Sequence, residues 1–120
     1  MSGLDVKSVS SPEEVRPFQD GKGTAAVVHV AGQPVLYATF EPGWRWSEHV
    51  KPIAGTDSCQ TNHFGYVLSG RMHIAMNDGS ESEVGPGDVF AIAPGHDAWT
   101  VGDEPCVSVD FGQVEQYAKA

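Results

Sequence analysis

The sequence predicts an all-β fold, built as an antiparallel β-barrel or a double-sheet sandwich. The 14 Gly and 8 Pro residues together make up 22 of the 120 residues, which is too many for long helices and suits short strands joined by tight turns. Short β-type segments also recur at the regular spacing that is typical of barrels and sandwiches. A chain of this length, with 40% hydrophobic residues, can build one core and not a second.

Along the chain we expect an N-terminal arm or strand over residues 1–24, a barrel over 25–113 and a tail over 114–120. Only residues 114–119 resemble a helix. Clusters of Gly, Pro, Asn and Asp separate the expected strands, as hairpin turns require. These strands are 25–30, 35–40, 44–50, 64–68, 71–77, 89–93, 98–101 and 106–111.

Alternation along the central strands predicts which side chains share a face. Met72, Ile74 and Met76 alternate with polar or small residues, as in a half-buried strand. His63 shares its face with Gly65 and Val67, and these small residues would leave room for a ligand. The opposite face, together with two tryptophans, is expected between the sheets or in a dimer contact: Phe64, Tyr66, Leu68, Trp44 and Trp46.

Charge and composition exclude several function classes. Seven basic and sixteen acidic side chains give a net charge of −9, which repels phosphates and disfavours nucleic acid and anionic membranes as partners. No apolar stretch approaches the roughly 20 residues of a membrane-spanning helix, and residues 1–9 lack the pattern of a secretory signal. Cys59 and Cys106 are too few for a disulfide framework, so we expect a cytoplasmic, reducing setting.

Two motifs resemble those of the cupin family, small β-barrels of the jelly-roll type, also called double-stranded β-helices. In the first motif, Gly43 precedes His49 by the family's five intervening residues, and His63 precedes Gly70 by its six. Residues 85–96, which begin with Gly-Pro-Gly-Asp and end at His96, resemble the family's second motif. The resemblance spans about residues 34–111 and implies a small single-domain cupin, commonly a homodimer that pairs through its sheets.

The chain departs from the family pattern at three places. The second His of the family's His-x-His pair falls on Lys51, and the family's Glu position falls on His63. The segment 52–62 is a longer insertion than usual. If the second motif is aligned without gaps, its metal-ligand position falls on Ala98. If the loop in this motif is two residues shorter than in the family, the ligand position falls on His96.

Carried over residue by residue, the resemblance implies one divalent transition metal held by His49, His63 and His96. Imidazole suits Fe, Zn, Ni, Mn or Cu, and three protein ligands leave open positions for water or substrate. Cys59 lies four residues before His63. Its thiolate is a candidate fourth ligand that would favour Zn or Cu, and the alternative is a small buried side chain.

Other side chains are candidates for a supporting role. Arg45 and Lys51 share the parity of His49 on the expected strand and could bind a substrate anion, or they could be exposed cations at the rim. Trp99 could line the pocket, and Asp97 could orient a histidine. Lys51 and Glu48 are the nearest candidates for proton transfer, although neither has a clear catalytic-base signature. His29 and His73 match no ligand position, and we interpret both as structural.

Three functions remain open at this point. The first is a metal-dependent enzyme, dioxygenase-like or isomerase-like, that acts on a small polar or anionic molecule. The second is a non-catalytic cupin that binds or senses a small ligand or a metal. The third is a structural cupin whose histidines belong only to a polar core.

Overall fold

The computed structural model describes residues 3–119, so Met1, Ser2 and Ala120, the ends of the expected arm and tail, lie outside the described residues. Within this described range nine strands form: β1 (Glu14–Pro17), β2 (Gly23–Val30), β3 (Gln33–Phe40), β4 (His63–Ser69), β5 (Arg71–Met76), β6 (Glu81–Val84), β7 (Val89–Ile92), β8 (His96–Val101) and β9 (Cys106–Asp110). Two one-turn helices, α1 (Trp46–His49) and α2 (Lys51–Ala54), connect β3 to the loop before β4. A 3-10 turn spans Gln19–Gly21.

The strands form two antiparallel sheets. The larger sheet has the order β1-β2-β3-β9-β4-β7 and the smaller one the order β6-β5-β8. The predicted all-β class and its cupin-type architecture are confirmed, as two sheets rather than a closed barrel. Neither of the two helices in the described part of the chain has the length and apolar character needed to cross a bilayer.

Alternating side chains of both sheets build the core. In β8 and β9, and over residues 36–40 of β3 and 72–74 of β5, every second residue is buried, as the period of two along a strand requires. Phe18, Phe40 and Trp44 close one end of the core, with ring centroids 4.5 to 5.6 Å apart. The inner face of β9 differs from the rest because Ser108 and Asp110 are buried there beside the apolar side chains.

Glycine allows two of these strands to approach closely. A Cβ atom on Gly65 would lie 2.1 Å from the Val109 carbonyl oxygen and 2.7 Å from the Phe90 ring. Any side chain at this position of β4 would therefore clash with β9 and with the Phe90 ring. The room beside His63 that the small residues of β4 provide is thus partly filled by Phe90.

The strand expected over residues 44–50 is wrong, because Trp46–His49 of this segment form α1 and Val50 joins α1 to α2. The amide groups of His49 and Val50 donate to the carbonyl oxygens of Arg45 and Trp46, each at 2.9 Å. Trp46, His49 and Val50 are buried together, and their spacing of three and four residues matches a helical face. The parity argument that placed Arg45 and Lys51 beside His49 assumed a strand, so it does not hold.

Two smaller differences concern polar segments. The expected strands did not include β6, whose exposed Glu81, Ser82 and Glu83 give no apolar alternation. Charged side chains are typical of an edge strand, which they protect from pairing with other chains. The helix-like tail forms successive turns instead, in which Tyr117 and Lys119 donate to the carbonyl oxygens of Val114 and Gln116.

Candidate metal centre

Three side chains of metal-ligand type converge at one end of the space between the sheets. Cys59, His63 and His96 each offer one ligand atom, and these atoms all lie within 4.8 Å of one another. Cys59 comes from the loop after α2, while His63 and His96 are the first residues of β4 and β8. Cys59 and His96 are buried, and the His63 side chain is 11% exposed.

Backbone pairing fixes the position of Cys59. Its amide donates to the His96 carbonyl oxygen at 2.8 Å, and its own carbonyl oxygen accepts from the Gly95 amide at 2.7 Å. Asn77 Nδ2 further donates to Ser58 Oγ at 3.0 Å. The insertion predicted over 52–62 is therefore anchored against the start of β8, and this anchoring brings the Cys59 thiol to the two histidines.

Hydrogen bonds also set the tautomers of both histidines. Nδ1 of His63 donates to Oδ2 of Asp110 at 2.5 Å, and Nδ1 of His96 donates to the Ala93 carbonyl oxygen at 2.8 Å. Because each Nδ1 carries a proton, Nε2 is the ring atom left to bind a metal. Nε2 of His63 lies 3.6 Å from Cys59 Sγ.

Asp110 is a site residue that the sequence analysis missed. It is buried, and its Oδ1 accepts from the amides of Phe64 and Gly112 at 3.1 and 2.9 Å. Its inward position on β9, in register with Gly65 of β4, follows from alternation with Cys106 and Ser108. A carboxylate at a buried strand position was the signal that could have revealed it.

The cluster strongly shifts two pKa values. Burial opposes the Cys59 thiolate, but hydrogen bonds from His63 and His96 outweigh burial and lower the pKa of Cys59 to about 6. Burial likewise opposes the His63 imidazolium, but hydrogen bonds to Asp110 and Cys59 raise the pKa of His63 to about 9. Without a metal, the pair is therefore held as thiolate and imidazolium near neutral pH.

A cavity adjoins the cluster. Its water-accessible volume is about 50 Å³, which is enough for several waters or a ligand of a few non-hydrogen atoms. His63, His96, Asp110 and Tyr117 lie in its wall. The Tyr117 ring packs edge-on against the His63 ring, with centroids 5.1 Å apart.

His49 lies apart from this cluster. Its Nδ1 accepts a hydrogen bond from the Arg45 amide at 2.9 Å, which caps its own helical turn. Its Nε2 is 3.8 Å from an Asp20 carboxylate oxygen and 3.9 Å from one of Glu48. The structure therefore brings together three of the four predicted ligands, namely Cys59, His63 and His96.

The candidate substrate-binding and proton-transfer residues also lie outside the cavity wall. Arg45 stacks over the Trp99 ring at 4.1 Å and lies 3.4 Å from Asp97. Trp99 points away from the cavity because it alternates with the buried Ala98 and Thr100 on β8. Lys51 lies 4.0 Å from an Asp57 oxygen, and Glu48 is 65% exposed.

The remaining histidines form surface contacts. His29 Nε2 lies 2.9 Å from a Glu115 carboxylate oxygen. His73 stacks on Trp99 with ring centroids 4.7 Å apart and contacts Glu81 at 2.6 Å. Asp97 accepts hydrogen bonds from the Ser47 and Ala98 amides, so its carboxylate orders the α1 segment.

Comparisons with known proteins agree with the fold. A family model described as a cupin domain matches residues 36–112. A Rhizobium leguminosarum protein of unknown function aligns with a TM-score of 0.63 at 15% identity, over 91% of this chain and 97% of that one. A Klebsiella pneumoniae protein with a double-stranded β-helix domain aligns with a TM-score of 0.56 at 26% identity, over 88% and 85%.

The oxalate decarboxylase of Lactobacillus farciminis aligns with a TM-score of 0.60 at 14% identity, over 94% of this chain. This chain spans only about a third of that enzyme, 34% of its length. At this identity the likeness concerns the fold alone. No curated protein matches the chain.

Proposed function

Because this chain belongs to the cupin domain family, we propose that it binds one divalent transition metal through Cys59, His63 and His96. The observation that carries the proposal is the convergence of three ligand atoms within 4.8 Å, with Nδ1 of both histidines already occupied by an acceptor. Metal-binding histidines are oriented by such partners in many sites.

The donor set fits a metal in both chemistry and size. Ligand distances of about 2.3 Å for sulfur and about 2.0–2.1 Å for nitrogen place two tetrahedral ligands about 3.6 Å apart. Cys59 Sγ and His63 Nε2 lie 3.6 Å apart. One thiolate and two imidazoles favour zinc, copper or iron over manganese.

We propose that the bound metal serves an enzyme that acts on a small molecule. When bound with three protein ligands, the metal would supply Lewis-acid chemistry, or redox chemistry if it is iron or copper. The cavity supports this function because it gives a ligand a buried place beside His63 and His96. Asp110 would keep Nε2 of His63 available, and Tyr117 would limit the approach of water from the side of the tail.

A non-catalytic metal- or ligand-binding module is the second candidate. The cavity wall favours this candidate because, among the described residues, it holds no titratable group that is free to act as a separate acid or base. Four of its titratable groups belong to the cluster or pack against it, and the fifth is the Cys106 thiol: His63, His96, Asp110, Tyr117 and Cys106. Lys51 and Glu48, the earlier candidates for proton transfer, lie outside this wall. A binding module needs no separate acid or base, whereas most isomerases do.

Metal binding is tested by titrating cobalt(II) and zinc into protein prepared without a polyhistidine tag. We expect one equivalent to bind, and we expect Cys59→Ser, His63→Gln and His96→Gln each to weaken binding strongly. His49→Gln is the matched control, since it alters a buried histidine outside the cluster. Equal binding by all four variants would contradict the proposed site.

Enzyme and binding module are then separated by turnover. Oxygen uptake by the iron-loaded protein, and product formation by the zinc-loaded protein, are measured across a panel of small acids, thiols and ketones. Saturable turnover that is lost in His96→Gln supports the enzyme. Saturable binding without turnover of any compound supports the binding module.

We also propose a homodimer in a reducing, cytoplasmic setting. Five large apolar side chains are 42% to 67% exposed along β4, β7 and the end of β9: Phe64, Tyr66, Leu68, Val89 and Phe111. An apolar patch of this kind marks a contact surface, and a second copy of the sheet would cover it. Both cysteines are free thiols, and the Cys59 thiol must stay reduced to bind a metal.

A further inference from the structure

The cavity beside the cluster is apolar over most of its wall. Side chains from both sheets and from the β3–α1 connection line it, among them Phe40, Trp44, Met72, Phe90 and Ile92. Among the described residues, the titratable groups in the wall are two histidines, one carboxyl, one thiol and one phenol: His63, His96, Asp110, Cys106 and Tyr117. A ligand in the cavity therefore meets hydrocarbon along most of its surface.

No basic side chain lines this wall among the described residues, which include all seven Lys and Arg of the chain. Each of the six with a contact is engaged elsewhere: Lys7 with Glu13, Arg16 with the tail, Lys22 with the Pro42 carbonyl, Arg45 with Asp97, Lys51 with Asp57 and Arg71 with Glu83. Lys119 is not in the cavity wall but lines a neighbouring groove, which shares Trp46 and Tyr117 with that wall and also contains Cys59. The cavity thus lacks the Arg or Lys that recognises a carboxylate or phosphate in most anion sites.

The metal would not supply the missing positive charge. A divalent ion bound by the Cys59 thiolate keeps one positive charge, and the buried Asp110 carboxylate next to His63 balances that charge. The site as a whole would then be neutral, inside a chain whose net charge is −9. Moving an anion from water into such a cavity is costly because neither a net positive charge nor an Arg or Lys side chain compensates its lost hydration.

A groove beside the cavity has the same character. Ile74, Val84, Phe90 and Ile92 line both the cavity and a wider groove between β6 and β7, the facing edges of the two sheets. Among the described residues, Glu81 on β6 is the charged residue of this groove. An anion that entered by this groove would therefore meet a carboxylate and an apolar surface before it reached the cluster.

From these observations we propose that the cavity takes a small uncharged ligand with an apolar body and one polar group, entering between β6 and β7. The polar group would point toward His63 and His96. This inference depends on the proposed function in one respect, namely that the polar group of the ligand would approach the proposed metal. It replaces the polar or anionic substrate expected from the sequence, and it sets the chain apart from a protein that binds a dicarboxylate.

The three methionines provide the probe. Met72 lines the cavity, Met76 lines the groove, and Met1 lies outside the described residues. Protein labelled with ¹³C at the methionine methyl groups is titrated with 2-butanone and with propionate, which have nearly the same shape and differ in charge. The titration is run on metal-free and zinc-loaded protein, with oxalate as a third compound. Ala98→Leu, which fills part of the cavity wall, is the matched variant.

We expect 2-butanone to shift the Met72 methyl signal saturably and at least about tenfold more tightly than propionate or oxalate. Ala98→Leu should lose this shift while its remaining spectrum keeps the folded pattern. Equal or tighter binding of either anion would overturn the proposal. A shift confined to Met76, or no saturable shift at Met72 with either form of the protein, would also overturn it.

These outcomes are separate from the failure of the metal site. If zinc does not bind but 2-butanone still shifts Met72 in the metal-free protein, the proposed metal function fails and the ligand class stands. If zinc binds one equivalent and propionate binds as well as 2-butanone, the metal site stands and the ligand class fails.

Discussion

Asp110 holds His63 by a hydrogen bond of 2.5 Å from Nδ1 to the carboxylate Oδ2. The two residues are 47 positions apart and meet because β4 and β9 are neighbours in the larger sheet. Both oxygens of Asp110 accept hydrogen bonds, since Oδ1 also binds two backbone amides. The carboxylate is therefore fixed in place, and it fixes the proton of His63 on the side away from Cys59.

Replacement of this carboxylate by an amide should weaken metal binding. In Asp110→Asn, the side-chain oxygen can still accept from the backbone amides, which turns the NH₂ group toward Nδ1 of His63. The imidazole proton then moves to Nε2, the atom needed for the metal. We expect the affinity for zinc or cobalt to fall about 10- to 100-fold, measured by competition with a chromophoric chelator.

Asp97→Asn is the control for this prediction, because the partly buried Asp97 carboxylate also accepts hydrogen bonds from backbone amides but lies away from the cluster. The affinity of Asp97→Asn for zinc or cobalt should stay within about threefold of that of the unchanged protein. This change is smaller than the loss expected when a carboxylate that orients a ligand is removed. An Asp110→Asn variant that binds as tightly as the Asp97→Asn variant would refute the orienting role of Asp110.

The metal-free protein should contain a thiolate at neutral pH. The pKa of Cys59 is lowered to about 6 because the histidine hydrogen bonds outweigh burial, while burial raises the pKa of Cys106 to about 11. Thiolate absorbance in the ultraviolet should therefore disappear in one step as the pH falls through about 6. This step should be absent in Cys59→Ser and should move to higher pH in His63→Gln.

The same shift has a consequence for stability. Because the folded pKa of Cys59, about 6, lies below the ordinary pKa of a cysteine thiol, its contribution to the free energy of unfolding is complete above that ordinary pKa and is lost as the pH falls through about 6. A Cys59 titration near the ordinary thiol pKa would show that the two histidines do not stabilise the thiolate.

Arg16 should be essential for anchoring the tail. It is 3% exposed, and its guanidinium donates to the carbonyl oxygens of Val114, Glu115 and Tyr117 at 2.8 to 3.0 Å. Arg16→Met leaves these three carbonyl groups without their donor. We expect the free energy of unfolding in urea to fall by about 3 kcal/mol.

The comparison is with Arg71→Met, which removes an exposed pair with Glu83 and should change stability little. Because Tyr117 packs on His63, Arg16→Met should also speed the reaction of Cys59 with a thiol reagent under native conditions. Equal stability of the two arginine variants would disprove the anchoring role.

The proposed dimer interface should lie on the exposed face of β4 and β7. Leu68→Glu combined with Val89→Glu places two charges in the apolar patch and should raise the dimer dissociation constant at least about 100-fold. Light scattering across a concentration series measures this change. Leu4→Glu is the control, because Leu4 is 75% exposed and lies outside the patch. A chain that is monomeric without substitutions would contradict the proposed dimer.

Sequence patterns predicted the strands wherever one face is buried and the other is not. The alternation of Met72 and Ile74 marked β5 because the core lies on one side of that strand. The same rule failed for residues 44–50, where a stretch with strand-forming residues also carries Trp46, His49 and Val50 at helical spacing. The helical turn forms because it buries all three side chains against the core. Local strand or helix propensities do not include this tertiary contact, so they could not predict it.

The candidate site was predictable in part. Motif spacing singled out His63 and His96, and proximity in sequence singled out Cys59. The position of the His49 ring depends on whether its segment is a strand or a helix. Because the segment is helical, the ring points toward Asp20 and away from the cluster. Asp110 and Tyr117 lie 47 and 54 residues from His63 along the chain, and only strand order and the Arg16 contact bring them to it.

X-ray absorption of the zinc-loaded protein is the most direct test of the central claim, which is that Cys59, His63 and His96 hold one metal. We predict one sulfur neighbour at about 2.3 Å and two imidazole nitrogens at about 2.0–2.1 Å, with the sulfur lost in Cys59→Ser and the full set kept in His49→Gln. A first shell without sulfur, or one that changes in His49→Gln and not in Cys59→Ser, would contradict it.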